Sequence, residues 1–188
     1  YDWVLSWAER RYGVWVLGWL SFAEASFFPI PPDPLLIALC LGSRTRSFYF
    51  ALTCSVTSVC GGIAGYLIGA YAFDSIGQLI LDWYEAHETY LTIQEHYTDH
   101  GFFYVFLAGF TPIPYKIFTI AAGVFNMAIV PFIVASAISR STRFFIVAAA
   151  IYRFGEPVKY FIDRWFNVLT VAFALLLVAG FLIIKILI

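Results

Sequence analysis

The sequence predicts an all-α polytopic membrane protein: two re-entrant helical hairpins in inverted repeat, about three transmembrane helices, and amphipathic interfacial helices beside them. Three observations carry that prediction. The chain is 62% hydrophobic and 12% charged, with a mean hydropathy of +0.83, whereas a soluble domain carries roughly 25% charge. Phe28-Pro29-Ile30-Pro31 returns as Thr111-Pro112-Ile113-Pro114, each copy inside an apolar stretch; proline-broken hydrophobic segments at matching places in two halves mark the midplane site of many transporters. Basic and acidic residues also fall on different segments, so the net charge of −1 says nothing about partners. With 188 residues there is room for one compact membrane domain and no separate soluble one.

Residues 1–12 mix Trp3, Leu5 and Trp7 with Asp2, Glu9, Arg10 and Arg11, a pattern suited to a helix lying in the interface. Residues 13–73 form the first repeat. Its apolar run is long enough to cross a bilayer, but Pro29, Pro31, Pro32 and Pro34 remove backbone donors and cannot continue one straight helix. A hairpin that enters and leaves on one side is expected, followed by a clean span at 47–73 whose Gly61, Gly62, Gly65 and Gly69 offer a face for close helix approach. Residues 74–100 carry acids and three histidines but no lysine or arginine, with apolar positions recurring helically, which fits a surface helix or helix pair outside the bilayer core. Residues 101–152 form the second repeat, broken at Pro112 and Pro114 and followed by a span at 127–151; residues 153–188 supply a basic loop and a last span at 165–184. The chain opens at Tyr1 with no signal-peptide pattern, and a short N-terminal piece is expected to precede it.

Cytoplasmic loops are enriched in lysine and arginine. With re-entrant hairpins and an inside N-terminus, Arg10, Arg11, Arg44, Arg46, Arg153, Lys159 and Arg164 all fall inside and the acidic segment outside. Full-spanning hairpins would split the basic set. Cys40, Cys54 and Cys60 have no metal-ligand spacing and read as packing residues. His96 and His100 are a helical turn apart, a spacing a metal could use, but their acidic setting favours a solvated face. No metal, other cofactor or nucleic-acid partner is expected.

An ionisable group at membrane depth costs about 3 kcal/mol even on insertion scales unless paired or hydrated. Glu24, Asp33, Lys116, Arg140 and Arg143 qualify, on four different segments, and can meet only in a shared cavity. Asp33 and Lys116 are equivalent when the repeats are matched by their prolines, 83 positions apart. One reading makes Lys116, Arg140 and Arg143 an anion site in which Glu24 or Asp33 exchanges a proton, arginine fitting phosphate through its planar fork. The other makes the acids mere neutralising partners that fix helix packing. Ser136, Ser139, Ser141 and Thr142 lie near the arginines, but with no histidine at membrane depth they read as packing residues, not nucleophiles.

Glu24 ahead of Pro29, Pro31-Pro-Asp-Pro-Leu-Leu36, the glycine-rich span, Phe110-Thr-Pro-Ile-Pro-Tyr-Lys116, Ala122-Gly123, and Ser139-Arg140 with Arg143-Phe144 together resemble the DedA family, especially its YqaA-like branch, over residues 15–155. The resemblance implies a bacterial inner-membrane protein, multi-pass with a cytoplasmic N-terminus, related to eukaryotic VTT-domain scramblases and moving phospholipid or undecaprenyl phosphate in dependence on the proton-motive force. It implies that Glu24 and Asp33 are the essential acids. The second-hairpin arginines of the better-studied branch fall on Gly109 and Tyr115, so Tyr115, Lys116 and the Arg140/Arg143 pair become the substrate-binding candidates. The expected function is therefore translocation of an anionic lipid, compatible with proton coupling and with a homo-oligomer. The alternatives are a membrane enzyme acting on a lipid phosphate, a small-ion or proton transporter, and an assembly factor; the sequence supplies no nucleophile set for an enzyme.

Overall fold

The computed structural model describes residues 12–28, 30–73, 87–111 and 114–155. The expected interfacial segment at 1–11, Pro29, Pro112, the acidic stretch 74–86, and the basic loop and last span beyond 155 lie outside the described residues. Among the described residues the fold is all helical, without strands: α1 (Gly13–Ser26), α2 (Asp33–Gly42), a 3-10 turn (Arg44–Arg46), α3 (Ser47–Ala72), α4 (His87–Phe110), α5 (Tyr115–Val124) and α6 (Ile129–Phe154).

The helix ends follow from local chemistry. At the end of α1 the Ser26 hydroxyl donates to the carbonyls of Phe22 (2.9 Å) and Ala23 (3.2 Å), and the Phe27 and Phe28 amides both return to the Ala23 carbonyl. The Ala23 carbonyl, among the last four of the helix, thus keeps partners before the proline run begins. α2 restarts at Asp33, with a proline in its first turn, where a missing N–H leaves no bond unmade. α5 closes through Asn126 at φ 53°, a left-handed position that asparagine tolerates. α4 runs unbroken through residue 100, where the sequence suggests a step from acidic segment to hairpin; a lone glycine, Gly101, does not stop a helix.

Length sorts the helices into two kinds. α3 and α6 have 26 residues each and are long and apolar enough to cross a membrane. α2 and α5 have ten each, a rise of about 15 Å, half the roughly 30 Å hydrocarbon core.

Pairwise contacts set the helix directions. α1 runs parallel to α3, since Gly18 faces Thr53 and Thr57, Ser21 donates to the Cys54 carbonyl (2.9 Å), and Gly61 faces Phe22 and Ala25. α4 is parallel to α6 in the same way, through Gly101 against Met127 and Gly109 against Ser139. α3 and α6 are antiparallel: Phe48 packs on Phe145 and Tyr152, Ser58 meets Arg140, and the Tyr66 hydroxyl donates to the Met127 carbonyl (2.6 Å). The glycine face expected on α3 is used, because a Cβ at Gly69 would strike the Ile120 carbonyl and one at Gly123 the Tyr66 carbonyl.

Two apolar clusters result. One gathers Leu17, Leu36, Leu39, Phe50, Phe144 and Ile151; the other gathers Ala25, Val105, Tyr115, Ala122, Met127 and Phe132. Outside them, Trp15, Trp19, Leu52, Val56, Val130, Val134 and Ile138 are exposed, which water would penalise and lipid would not.

Candidate functional site

The charged residues lie where the two clusters meet. Arg140 shows this most directly, with its guanidinium carbon 4.8 Å from the Phe144 ring centroid of one cluster and 4.9 Å from the Tyr115 ring centroid of the other. It is 2% exposed. Its Nη2 donates to Glu24 Oε2 at 2.5 Å and its Nε to Ser58 Oγ at 2.6 Å. A desolvated cation on a ring face gains about 2 kcal/mol or more from a favourable stack, and the carboxylate offsets the cost of an unpaired buried charge.

Arg143, one turn further along α6, is held differently. Its Nε and Nη2 donate to Asp33 Oδ1 (3.3 Å) and Oδ2 (2.9 Å), while Nη1 donates to the Thr111 carbonyl (3.1 Å). Asp33 opens α2 just after the first proline run, and Thr111 lies at the end of α4 just before the second. One guanidinium on a long helix therefore ties the two proline-broken tips together. This pair is more open, at 24% for Arg143 and 20% for Asp33, against 17% for Glu24 and 2% for Arg140.

Of the five charges expected from the sequence at membrane depth, four are thus brought together as two ion pairs. Lys116 is not among them: half-buried on α5, it has no ion pair among the described residues, and its carbonyl accepts a bond from the Thr119 hydroxyl (2.9 Å). Tyr115 forms the floor beneath Arg140, and its buried hydroxyl faces that of Ser136, one turn before Arg140. Pro31 is exposed and Pro32 buried at the first tip, and Pro114 caps α5 at the second with extended backbone (ψ 98°).

The helices also correct the register of the repeat. α2 and α5 are of equal length, as are α3 and α6, and matching their starts sets Asp33 against Tyr115, not Lys116. The second tip is one residue shorter between its first proline and the next helix. In this register Ser58 and Arg140 are equivalent, each the twelfth residue of its 26-residue helix, and they bond to each other where the helices cross. Ser58 and the Thr111 carbonyl were not legible as site groups, since a serine in a glycine-rich span and a bare carbonyl carry no signal, and the shared helix position of Ser58 and Arg140 emerges only in the corrected register. The resemblance placed family arginines at Gly109 and Tyr115. A side chain at 109 would strike Ser139, and the Arg140 side chain passes beside it, so in this chain α6 supplies the cation to that space.

Residues 30–153 match the model of the VTT domain. A protein of Haemophilus influenzae is 37% identical over 186 residues, covering 98% of this chain and 96% of its own length. One of Histophilus somni is 40% identical over 148 residues, covering 78% and 76%. Both are named only as uncharacterized proteins. No solved structure matches this chain. The family match across most of the chain, the whole-length relative and the apolar helices around paired charges agree: the chain belongs to the VTT-domain (DedA) family of transporter-like membrane proteins.

Proposed function

We propose that the protein translocates an anionic lipid, a phospholipid or undecaprenyl phosphate, between the leaflets of the bacterial inner membrane, with Arg143 as the group that takes the lipid phosphate. The observation that carries this reading is the Arg143 clasp: a partly exposed guanidinium bound bidentately by Asp33 and also to the Thr111 carbonyl. A lipid phosphate has the same bidentate geometry as the carboxylate it would displace. Protonation of Asp33 releases the arginine to the phosphate, and re-ionisation releases the lipid, which links transport to proton movement. Glu24 and Arg140 hold the helices around this exchange. Lys116 supplies a further cation near the second tip, and Tyr115 carries the Arg140 guanidinium on its ring face.

In this reading α1–α2 and α4–α5 are re-entrant hairpins of opposite orientation. The support is their geometry: each first arm lies parallel to the span that follows it, the two spans are antiparallel, and the returning arms are too short to cross. The N-terminus is cytoplasmic, by the placement of arginines and lysines.

The test is leaflet exchange in proteoliposomes containing labelled undecaprenyl phosphate or a labelled phospholipid. Arg143→Ala removes charge-assisted bonds worth about 1.5–3 kcal/mol, so exchange should fall roughly ten- to a hundred-fold, and Asp33→Asn should uncouple it from an imposed proton gradient. Exchange of neither lipid by folded protein would favour a small-ion transporter instead.

A further inference from the structure

A groove of about 540 Å³ runs along the outer seam of α1 and α3, within the usual range for a small-molecule site. Trp15 and Trp19 of α1 form one wall; Tyr49, Thr53 and Thr57 of α3 form the other; Arg46 closes one end. The threonine hydroxyls are turned back onto their own helix, Thr53 donating to the Tyr49 carbonyl (3.0 Å) and Thr57 to the Thr53 carbonyl (2.8 Å). Their methyl groups face Gly18, where an added Cβ would lie 3.3 Å and 3.5 Å away. This wall offers methyls and ring faces, with the threonine O–H donors already spent on their own helix.

The charge is at one end only. Arg46 is exposed, precedes α3, and has no ion pair among the described residues. From Arg46 to Thr57 the chain climbs about 16 Å, the depth of one leaflet's hydrocarbon. The inner end lies level with the paired charges but on a different face of the two helices, because Thr57 adjoins Ser58, which binds Arg140, and Phe22 lies two residues before Glu24.

We infer that this groove docks an anionic phospholipid of the leaflet on the Arg46 side, its phosphate on the Arg46 guanidinium and one acyl chain along the α1/α3 seam. The choice of lipid cargo rests on the function proposed above, while the groove and its cation do not. A docked lipid would lie with its tail against the outer face of the helix pair whose other face carries Glu24 and Ser58. Arg46 is a docking residue and Arg143 a transport residue.

The experiment places the photo-crosslinker p-benzoylphenylalanine at position 49 of the full chain, in nanodiscs of phosphatidylethanolamine with a minority of phosphatidylglycerol, and reads the adducts by mass spectrometry. One surface cation favours an anionic lipid by about five-fold, so the phosphatidylglycerol adduct should exceed its mole fraction by that factor. Arg46→Gln should return it to the mole fraction; Arg46→Lys, which retains the charge, should keep it and controls for folding. Adducts at the mole fraction in the parent chain, or cross-links to the chain itself or to a second copy, would overturn the inference. Arg143→Ala separates the two proposals: exchange lost with enrichment intact supports both, exchange present without enrichment removes only the docking site, and enrichment without exchange in the parent chain removes only the transport reading.

Discussion

Arg140 and Arg143 lie three residues apart on one helix and are held in different physical states. Arg140 is enclosed by two rings, a serine and a carboxylate; displacing Glu24 from it would leave a buried cation alone. Arg140→Ala is accordingly expected to destabilise the protein by about 3–5 kcal/mol, because it strands the Glu24 carboxylate at depth. Arg140→Met with Glu24→Leu should recover much of that loss, since a buried pair replaced by apolar groups of similar volume is often neutral. Thermal unfolding of the single and double variants in detergent checks this, and equal losses in both would show that the pair is not what holds the site. Arg143 and Asp33 are only a little more open than Glu24, so Arg143→Ala also strands a carboxylate, whereas Arg143→Gln with Asp33→Asn leaves no lone charge and should change stability by no more than about 1–3 kcal/mol while exchange falls roughly ten- to a hundred-fold. The same two measurements thus distinguish a structural arginine from a transporting one.

At the scale of elements, the short helices are positioned by glycine. α5 reaches α3 only because Gly69 and Gly123 let backbone touch backbone, and membrane helices lacking a hydrophobic drive depend on such close packing. Gly123→Leu should force α5 away, carry Tyr115 off Arg140, and cost roughly 2–5 kcal/mol or prevent folding, an effect visible in the yield of monodisperse protein. Gly42 is the internal control: a Cβ there meets nothing within 4 Å, so Gly42→Ala should be neutral or stabilise by about 0.4–1 kcal/mol. The proline phrases announced the breaks correctly in kind. They misaligned the repeats by one residue, because a tip's length is set by how its two helices dock and not by where its prolines stand.

For the whole molecule, the Arg44 guanidinium lies against Gly155, so the start of α3 and the end of α6 share one face, with Ala128 near the other. In a background with Cys40, Cys54 and Cys60 replaced by serine, Thr45→Cys should react with a membrane-impermeant maleimide only from the cytoplasmic side and Ala128→Cys only from outside; labelling of both from one side would refute the antiparallel crossing proposed for the two spans. The sequence by itself determined the solvent, the helical class and the broken segments, because composition, proline and periodicity act locally along the chain. It also named Glu24, Asp33, Lys116, Arg140 and Arg143 as residues that must find one another, and four of the five do so. Only the tertiary structure decided who pairs with whom: that Glu24 locks Arg140, that Asp33 shares Arg143 with the Thr111 carbonyl, that Ser58 joins the site, and that Lys116 stands outside both pairs. Those outcomes depend on helix crossings set by glycine contacts tens of residues apart, and no local pattern encodes a crossing.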